Sequence, residues 1–232
     1  SYKKAIQIKP NFAEAYFNLG NASHAELKFT SAVKYFEAAI NLRPNYPEAF
    51  CNLGNTLKAQ EKIHKSIKSY EQALKLKPNY VEAYCNLGMA HQLEGDIKKA
   101  ILYYEKALKI KPSYAVALNN LGIAFEERGD LNKANLSFIK ALKINPNFPE
   151  AYYNLGHTQI EQSHLGLAID SYKKAIQLKP DYAEAHWNLS LAELLSGNYK
   201  SGWKNYHWRW KKLKPIKAHA QPNLSRWEGE LL

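Results

Sequence analysis

Six asparagines stand in register in this chain. Asn18, Asn52, Asn86, Asn120, Asn154 and Asn188 recur every 34 residues, each directly before a leucine. A primary amide carries both donors and an acceptor. A row of amides can therefore pair with the backbone of an extended polypeptide whatever that polypeptide's sequence. Asn in a helix interior is disfavoured against Ala by up to ~0.7 kcal/mol, so six cost roughly 3–4 kcal/mol unless something uses the amides. Two uses are open: a bond to a neighbouring helix, or contact with a ligand along a groove. The columns beside the row vary. One reads Phe17, Cys51, Cys85, Asn119, Tyr153, Trp187; the other reads Asn21, Asn55, Met89, Ile123, His157, Leu191. Uniform amides with varied neighbours suit a general backbone grip with some side-chain selectivity. The selectivity is expected from Phe17, Asn21, Asn55, Met89, Asn119, Tyr153, His157 and Trp187.

Catalytic chemistry has no comparable signature. The sequence holds no phosphate loop, no dinucleotide glycine fingerprint, no nucleophile elbow and no H-E-x-x-H. Asp96, Asp130, Asp170 and Asp181 are scattered and the eight histidines are dispersed. No catalytic residue, metal or cofactor is expected of this chain. Cys51 and Cys85 sit one period apart on equivalent helices, about 9 Å or more from each other, which is beyond disulfide reach. Two reduced thiols suit a reducing, cytoplasmic compartment. No apolar run approaches membrane-helix length and no signal peptide stands at the start, so no membrane partner is expected. The net charge is +11, with eight Lys and Arg and no acid between Tyr199 and Arg226. The rest of the chain is mildly basic, and Glu126, Glu127 and Glu161 lie near the proposed groove. A nucleic-acid track would have to be basic there.

The elements that position the asparagines are repeated helices. Pro10, Pro44, Pro78, Pro112, Pro146 and Pro180 keep the 34-residue step. Residues 1–20 return as residues 171–190 with fourteen of twenty letters identical. Each period reads as two helices, the second with apolar residues at helical spacing and ended by the proline. Asn11, Asn45, Asn79, Asn147 and Asp181 each precede Glu14, Glu48, Glu82, Glu150 and Glu184 by three. That spacing predicts capping boxes worth ~1 kcal/mol each. The turn between the two helices carries Gly95, Gly129 and Gly197 in three repeats but Leu27, Glu61 and Ser163 in the others. If the turn needs positive φ, either Leu27 is strained or the turn shifts, and the expectation is a local shift. Lys9, Arg43, Lys77, Lys111 and Lys179 are expected to be solvated charges at helix ends.

The register of aromatic, Leu-Gly, small residue, aromatic, Ala and Pro resembles the tetratricopeptide repeat family. In the second repeat it is Phe50, Leu53-Gly54, Ser66, Tyr70, Ala73 and Pro78. The resemblance covers residues 1 to about 200. It implies an all-α fold, a right-handed superhelical solenoid of antiparallel helix pairs with first helices lining a concave groove. The asparagine row is similar to the one in the repeat region of O-linked N-acetylglucosamine transferase, which holds extended protein substrates. The matching positions here are the six asparagines. Gly202-Trp203, Tyr206, Trp208-Arg209-Trp210 and Trp227 resemble the junction at which bacterial repeat arrays run into a glycosyltransferase-like domain. That likeness implies junction packing by Trp203, Tyr206, Trp208, Trp210 and Trp227, and a catalytic domain beyond Leu232.

The expected organisation is the second helix of a truncated repeat at 1–12, five full repeats over 13–182, a divergent sixth at 183–212 and an extended linker at 213–232. The stretch SGWKNYHWRWKK (201–212) is then a second helix in register. The expected partners are extended protein segments. Self-association through the solenoid ends, with Tyr2, Ala5 and Ile6 exposed, is the alternative; nucleic-acid binding by the basic aromatic tail is less favoured.

Overall fold

The structure, a computed structural model, describes residue 6 and residues 8–212. Tyr2, Ala5, Trp227 and the linker expected over 213–232 lie outside the described residues. Among the described residues every assigned element is a helix. In chain order these are α1 (Ala13–Ala25), α2 (Phe29–Leu42), α3 (Pro47–Ala59), α4 (Ile63–Leu76), α5 (Val81–Leu93), α6 (Ile97–Ile110), α7 (Ala115–Glu127), α8 (Leu131–Ile144), α9 (Pro149–Glu161), α10 (Leu165–Leu178), α11 (Ala183–Leu195), α12 (Tyr199–Tyr206) and α13 (Arg209–Lys212). The chain divides into two compact units, one up to Ala124 and one from Phe125. In the first, α1 packs on α2, α3 on α4 and α5 on α6, and α2 and α4 each pack on the first helix of the next pair. In the second, α9 packs on α10, α11 on α12, and α8 and α10 bridge to the following pair.

In the second helices up to α10 one aromatic ring is fully buried. Phe36, Tyr70, Tyr104, Phe138 and Tyr172 are at most 1% exposed. The Leu-Gly step supplies the space for them. A Cβ on Gly54 would lie 2.5 Å from Tyr70 Cε1; on Gly20 it would lie 2.6 Å from Phe36, and on Gly156 2.7 Å from Tyr172. The small residues Ala32, Ser66, Ala100, Ala134 and Ala168 are fully buried beside these rings. Ser66 satisfies its hydroxyl by donating to the Ile63 carbonyl at 2.7 Å.

The turn within each pair does not shift. Leu27, Glu61 and Ser163 have φ of 59°, 60° and 63°, in the same left-handed region as Gly95, Gly129 and Gly197. Two backbone bonds hold it there. Glu61 N–H reaches the Lys58 carbonyl and Lys62 N–H reaches the Leu57 carbonyl, both at 2.9 Å. This six-to-one closure satisfies the last carbonyls of the first helix, and a shifted turn would forfeit it. The left-handed conformation costs an L-residue about 1–2 kcal/mol. The following residue compounds the difference. After the glycines stand Asp96, Asp130 and Asn198, whose side chains accept from the backbone N–H of Lys99, Lys133 and Ser201. After Leu27, Glu61 and Ser163 stand Lys28, Lys62 and His164, with no side-chain cap. Lys62 nevertheless shares the backbone conformation of Asp96, with φ of −85° against −86°. A Glu61→Gly/Lys62→Asp chain is therefore expected to gain roughly 1–2 kcal/mol from relieved strain and a new cap. A raised urea midpoint would show it.

The expected capping boxes are absent. The N-caps of α1, α3, α5, α9 and α11 are Phe12, Tyr46, Tyr80, Phe148 and Tyr182, without a side-chain cap bond. The asparagine and aspartate fall one residue too early, and the glutamates become second-position residues that favour the helix dipole. The cations at the ends of second helices are not simply solvated either. The Arg43 guanidinium lies 4.6 Å from the Tyr46 ring centroid and 3.0 Å from Glu14 Oε1. Lys77 repeats the arrangement over Tyr80 at 4.5 Å and to Glu48 at 3.3 Å. Lys111 and Lys179 stand over Tyr114 and Tyr182. The N-cap aromatics Tyr46, Tyr80 and Tyr182 thus seat the preceding cations, whereas Phe148 follows Asn145 and has none.

Candidate functional site

The six asparagines lie at the middle of first helices and all are half-buried. In the first unit their amide N–H groups point back to the preceding first helix. Asn52 Nδ2 donates to Asn21 Oδ1 at 2.8 Å, Asn86 Nδ2 to Cys51 Sγ at 3.7 Å and Asn120 Nδ2 to Cys85 Sγ at 3.6 Å. In the second unit Asn188 Nδ2 donates to Tyr153 OH at 3.3 Å. The row thus ties neighbouring pairs together through its donors. Among the described residues the Oδ1 atoms of Asn52, Asn86, Asn120 and Asn188 accept from no protein group. Their acceptor half is the part available to a ligand.

The first variable column belongs to the packing between pairs. Cys51 and Cys85 are 2% exposed and Asn119 is 5% exposed. Both cysteines are free, and burial pushes the Cys85 thiol up to about 11 and raises that of Cys51. Phe17 packs on Phe36 and Tyr46, Tyr153 on Tyr172 and Tyr182, and Trp187 on Tyr206. Side-chain selectivity expected of Phe17, Asn119, Tyr153 and Trp187 is therefore tempered by the contacts they already make. The second column is partly open: Asn21, Asn55, Met89 and His157 are half-buried and Leu191 is exposed. Asn55 is held by Tyr70, whose hydroxyl donates to its Oδ1 at 2.8 Å. In the preceding pair the ring is Phe36, without a hydroxyl. A cavity of ≈ 120 Å³ remains there, lined by Asn21, His24, Phe36, Asn52 and Asn55.

The structure adds a third column, of which the sequence placed only Glu126 near the groove. His24, Lys58, Gln92 and Glu126 follow the second column by three residues and are half-buried. His24 Nδ1 lies 3.0 Å from Thr56 Oγ1, and Tyr104 OH donates to Gln92 Oε1 at 2.8 Å. Lys58 donates to Met89 Sδ at 3.0 Å, and burial lowers its pKa. Extending each first-helix face by one further turn in the sequence would have found this column. In the second unit the same extension unites residues that looked dispersed. Glu126, His157 and Glu161 converge, with His157 Nδ1 2.5 Å from Glu126 Oε1.

The aromatic tail is not one helix. α12 ends at Tyr206 and a short α13 begins at Arg209. Trp208 sits in the break and stacks on His186 of α11 at 4.0 Å, with planes 1° apart. Tyr206 meets Trp187 and Trp203, and Arg209 stands over both Tyr206 and Trp210. Trp203 and Trp210 remain 44% and 52% exposed.

Comparison with known proteins agrees with this geometry. A family model described as TPR repeat matches residues 1–26, 28–61, 54–95, 125–163 and 160–197. Two models described as tetratricopeptide repeat match residues 81–114 and 103–134. No curated protein matches significantly in sequence. Among solved structures, a chain of the APC/C hetero-tetramer Cut9–Hcn1 is similar with a TM-score of 0.79 at 20% identity. The match covers 89% of this chain and 41% of that one, so this chain spans about two fifths of that neighbour's length. PilF of Pseudomonas aeruginosa aligns with a TM-score of 0.77 at 17% identity, covering 88% and 92% of the two chains. YrrB, described as a TPR protein with an unusual peptide-binding site, aligns with a TM-score of 0.60 at 23% identity, covering 80% and 95%. At these identities the likeness is one of fold.

Proposed function

This chain belongs to the tetratricopeptide repeat family, and from that premise we propose that the face made by its first helices holds extended segments of partner proteins. The observation that carries the reading is the division of labour within Asn52, Asn86, Asn120 and Asn188. The Nδ2 group is spent on the preceding first helix, which fixes the amide's orientation. The Oδ1 atom is left to accept a backbone N–H, at the same position on successive helices. A chain in extended conformation offers such donors at regular intervals whatever its side chains. Partly open residues beside the row, Asn21, Asn55, Met89 and His157, supply selectivity; Lys58 and Gln92 add to it.

The finer part of the proposal concerns destination. The resemblance of Gly202-Trp203, Tyr206 and Trp208-Arg209-Trp210 to a repeat–glycosyltransferase junction suggests that held segments are presented to a glycosyltransferase domain after Leu232. The half-exposed Trp203 and Trp210 rings are the surface that would meet it. Panning random dodecapeptides on the full chain tests the central reading. Selected peptides should weaken against an Asn52→Ala/Asn86→Ala/Asn120→Ala chain, and peptides indifferent to the three substitutions would overturn it.

A further inference from the structure

We infer that Glu126, His157 and Glu161 form a site for a divalent transition-metal ion of the zinc class. His157 and Glu161 are four residues apart on α9, so they share one helix face. Glu126 comes from the last turn of α7 and faces them. The three ligand atoms lie within 4.8 Å of one another. A tetrahedral ion with bonds of about 2.0–2.2 Å holds its ligands about 3.4 Å apart, a separation that small side-chain rotations reach from here.

Charge supports the assignment. Glu126 is 18% exposed, and its Oε1 lies 2.5 Å from His157 Nδ1, an ion pair when the imidazole is protonated. The chain has 32 lysines and arginines against 21 acids, yet among the described residues neither Glu126 nor Glu161 has a lysine or arginine partner. A dication bridging the two carboxylates and the imidazole would balance their charge where no lysine or arginine does so. The imidazole sets the class of ion. Magnesium and calcium take all-oxygen ligand sets, whereas zinc combines nitrogen with carboxylate oxygen. Three protein ligands leave one coordination position for water.

Isothermal titration of the full chain with zinc chloride in a non-coordinating buffer tests this. One ion per chain is expected, with a rise in melting temperature that magnesium chloride does not produce. Glu126→Gln, His157→Gln and Glu161→Gln should each weaken zinc binding at least tenfold, while His164→Gln, at the exposed turn before α10, should leave it unchanged. Far-UV circular dichroism checks that each variant stays folded. Zinc binding undiminished by His157→Gln, an equal response to magnesium, or no one-to-one binding at all would each overturn the site.

Discussion

A Gly88→Val chain is expected to lose about 4 kcal/mol of stability in its first unit, with the urea transition followed by circular dichroism broadened and moved to lower denaturant. The cause is a ring with nowhere to go. A Cβ on Gly88 would stand 2.7 Å from Tyr104 Cε1 and 3.1 Å from the Ala100 carbonyl. Tyr104 is fully buried, and its hydroxyl is fixed on Gln92 at 2.8 Å. Insertion of extra carbon into such packing costs about 1–3 kcal/mol, and valine adds two methyls beyond the first clash. Displacing the ring also forfeits a hydrogen bond worth about 1 kcal/mol. Glycine's poor helix propensity would predict the opposite sign for a simple helix. Gly166 provides the contrast: it begins an exposed face of α10, and a Cβ there meets nothing within 4 Å. Gly166→Ala should therefore raise stability by roughly 0.5–1 kcal/mol.

The second large effect is on binding. Against a peptide selected on the full chain, the Asn52→Ala/Asn86→Ala/Asn120→Ala variant is expected to bind roughly a hundredfold more weakly. Each lost acceptor bond is worth about 1 kcal/mol, and about 3 kcal/mol corresponds to two powers of ten in affinity. Stability should change far less. The variant loses the bond from Asn52 to Asn21 and two weak contacts to cysteine sulfur. It gains alanine's helix propensity at three positions, up to ~0.7 kcal/mol each. Fluorescence anisotropy for the peptide and thermal melting for the chain separate the two readouts. A lower melting temperature with unchanged peptide affinity would make the amides structural alone.

Much of the architecture was legible because one constraint recurs. A 34-residue period places the same side chains at the same point of successive helix pairs, so Gly54 and Tyr70 predict their own counterparts at Gly88 and Tyr104. Proline after each second helix and apolar residues at helical spacing reveal the elements. The cap positions were misread because the spacing of Asn11 to Glu14 fits a capping box, whereas the helix begins one residue later, where Phe12 carries the cation–aromatic contact with Lys9. The turn was misread because a positive φ looked avoidable. Glu61 keeps it since two backbone bonds depend on it.

The sequence by itself determined the repeated helix pair, the Leu-Gly space for a buried ring, and the alignment of six amides. Its periodicity is sufficient for these because each depends only on position within the repeat. Tertiary structure alone decided which face of each first helix is closed by its neighbour. That rotation buries Cys51, Cys85 and Asn119, leaves Asn55, Met89 and His157 partly open, and turns the Asn86 and Asn120 donors inward. It also brings Glu126 against His157 and Glu161. These three sit at different positions of two repeats, so their meeting depends on how one helix packs against another, a quantity the period does not contain.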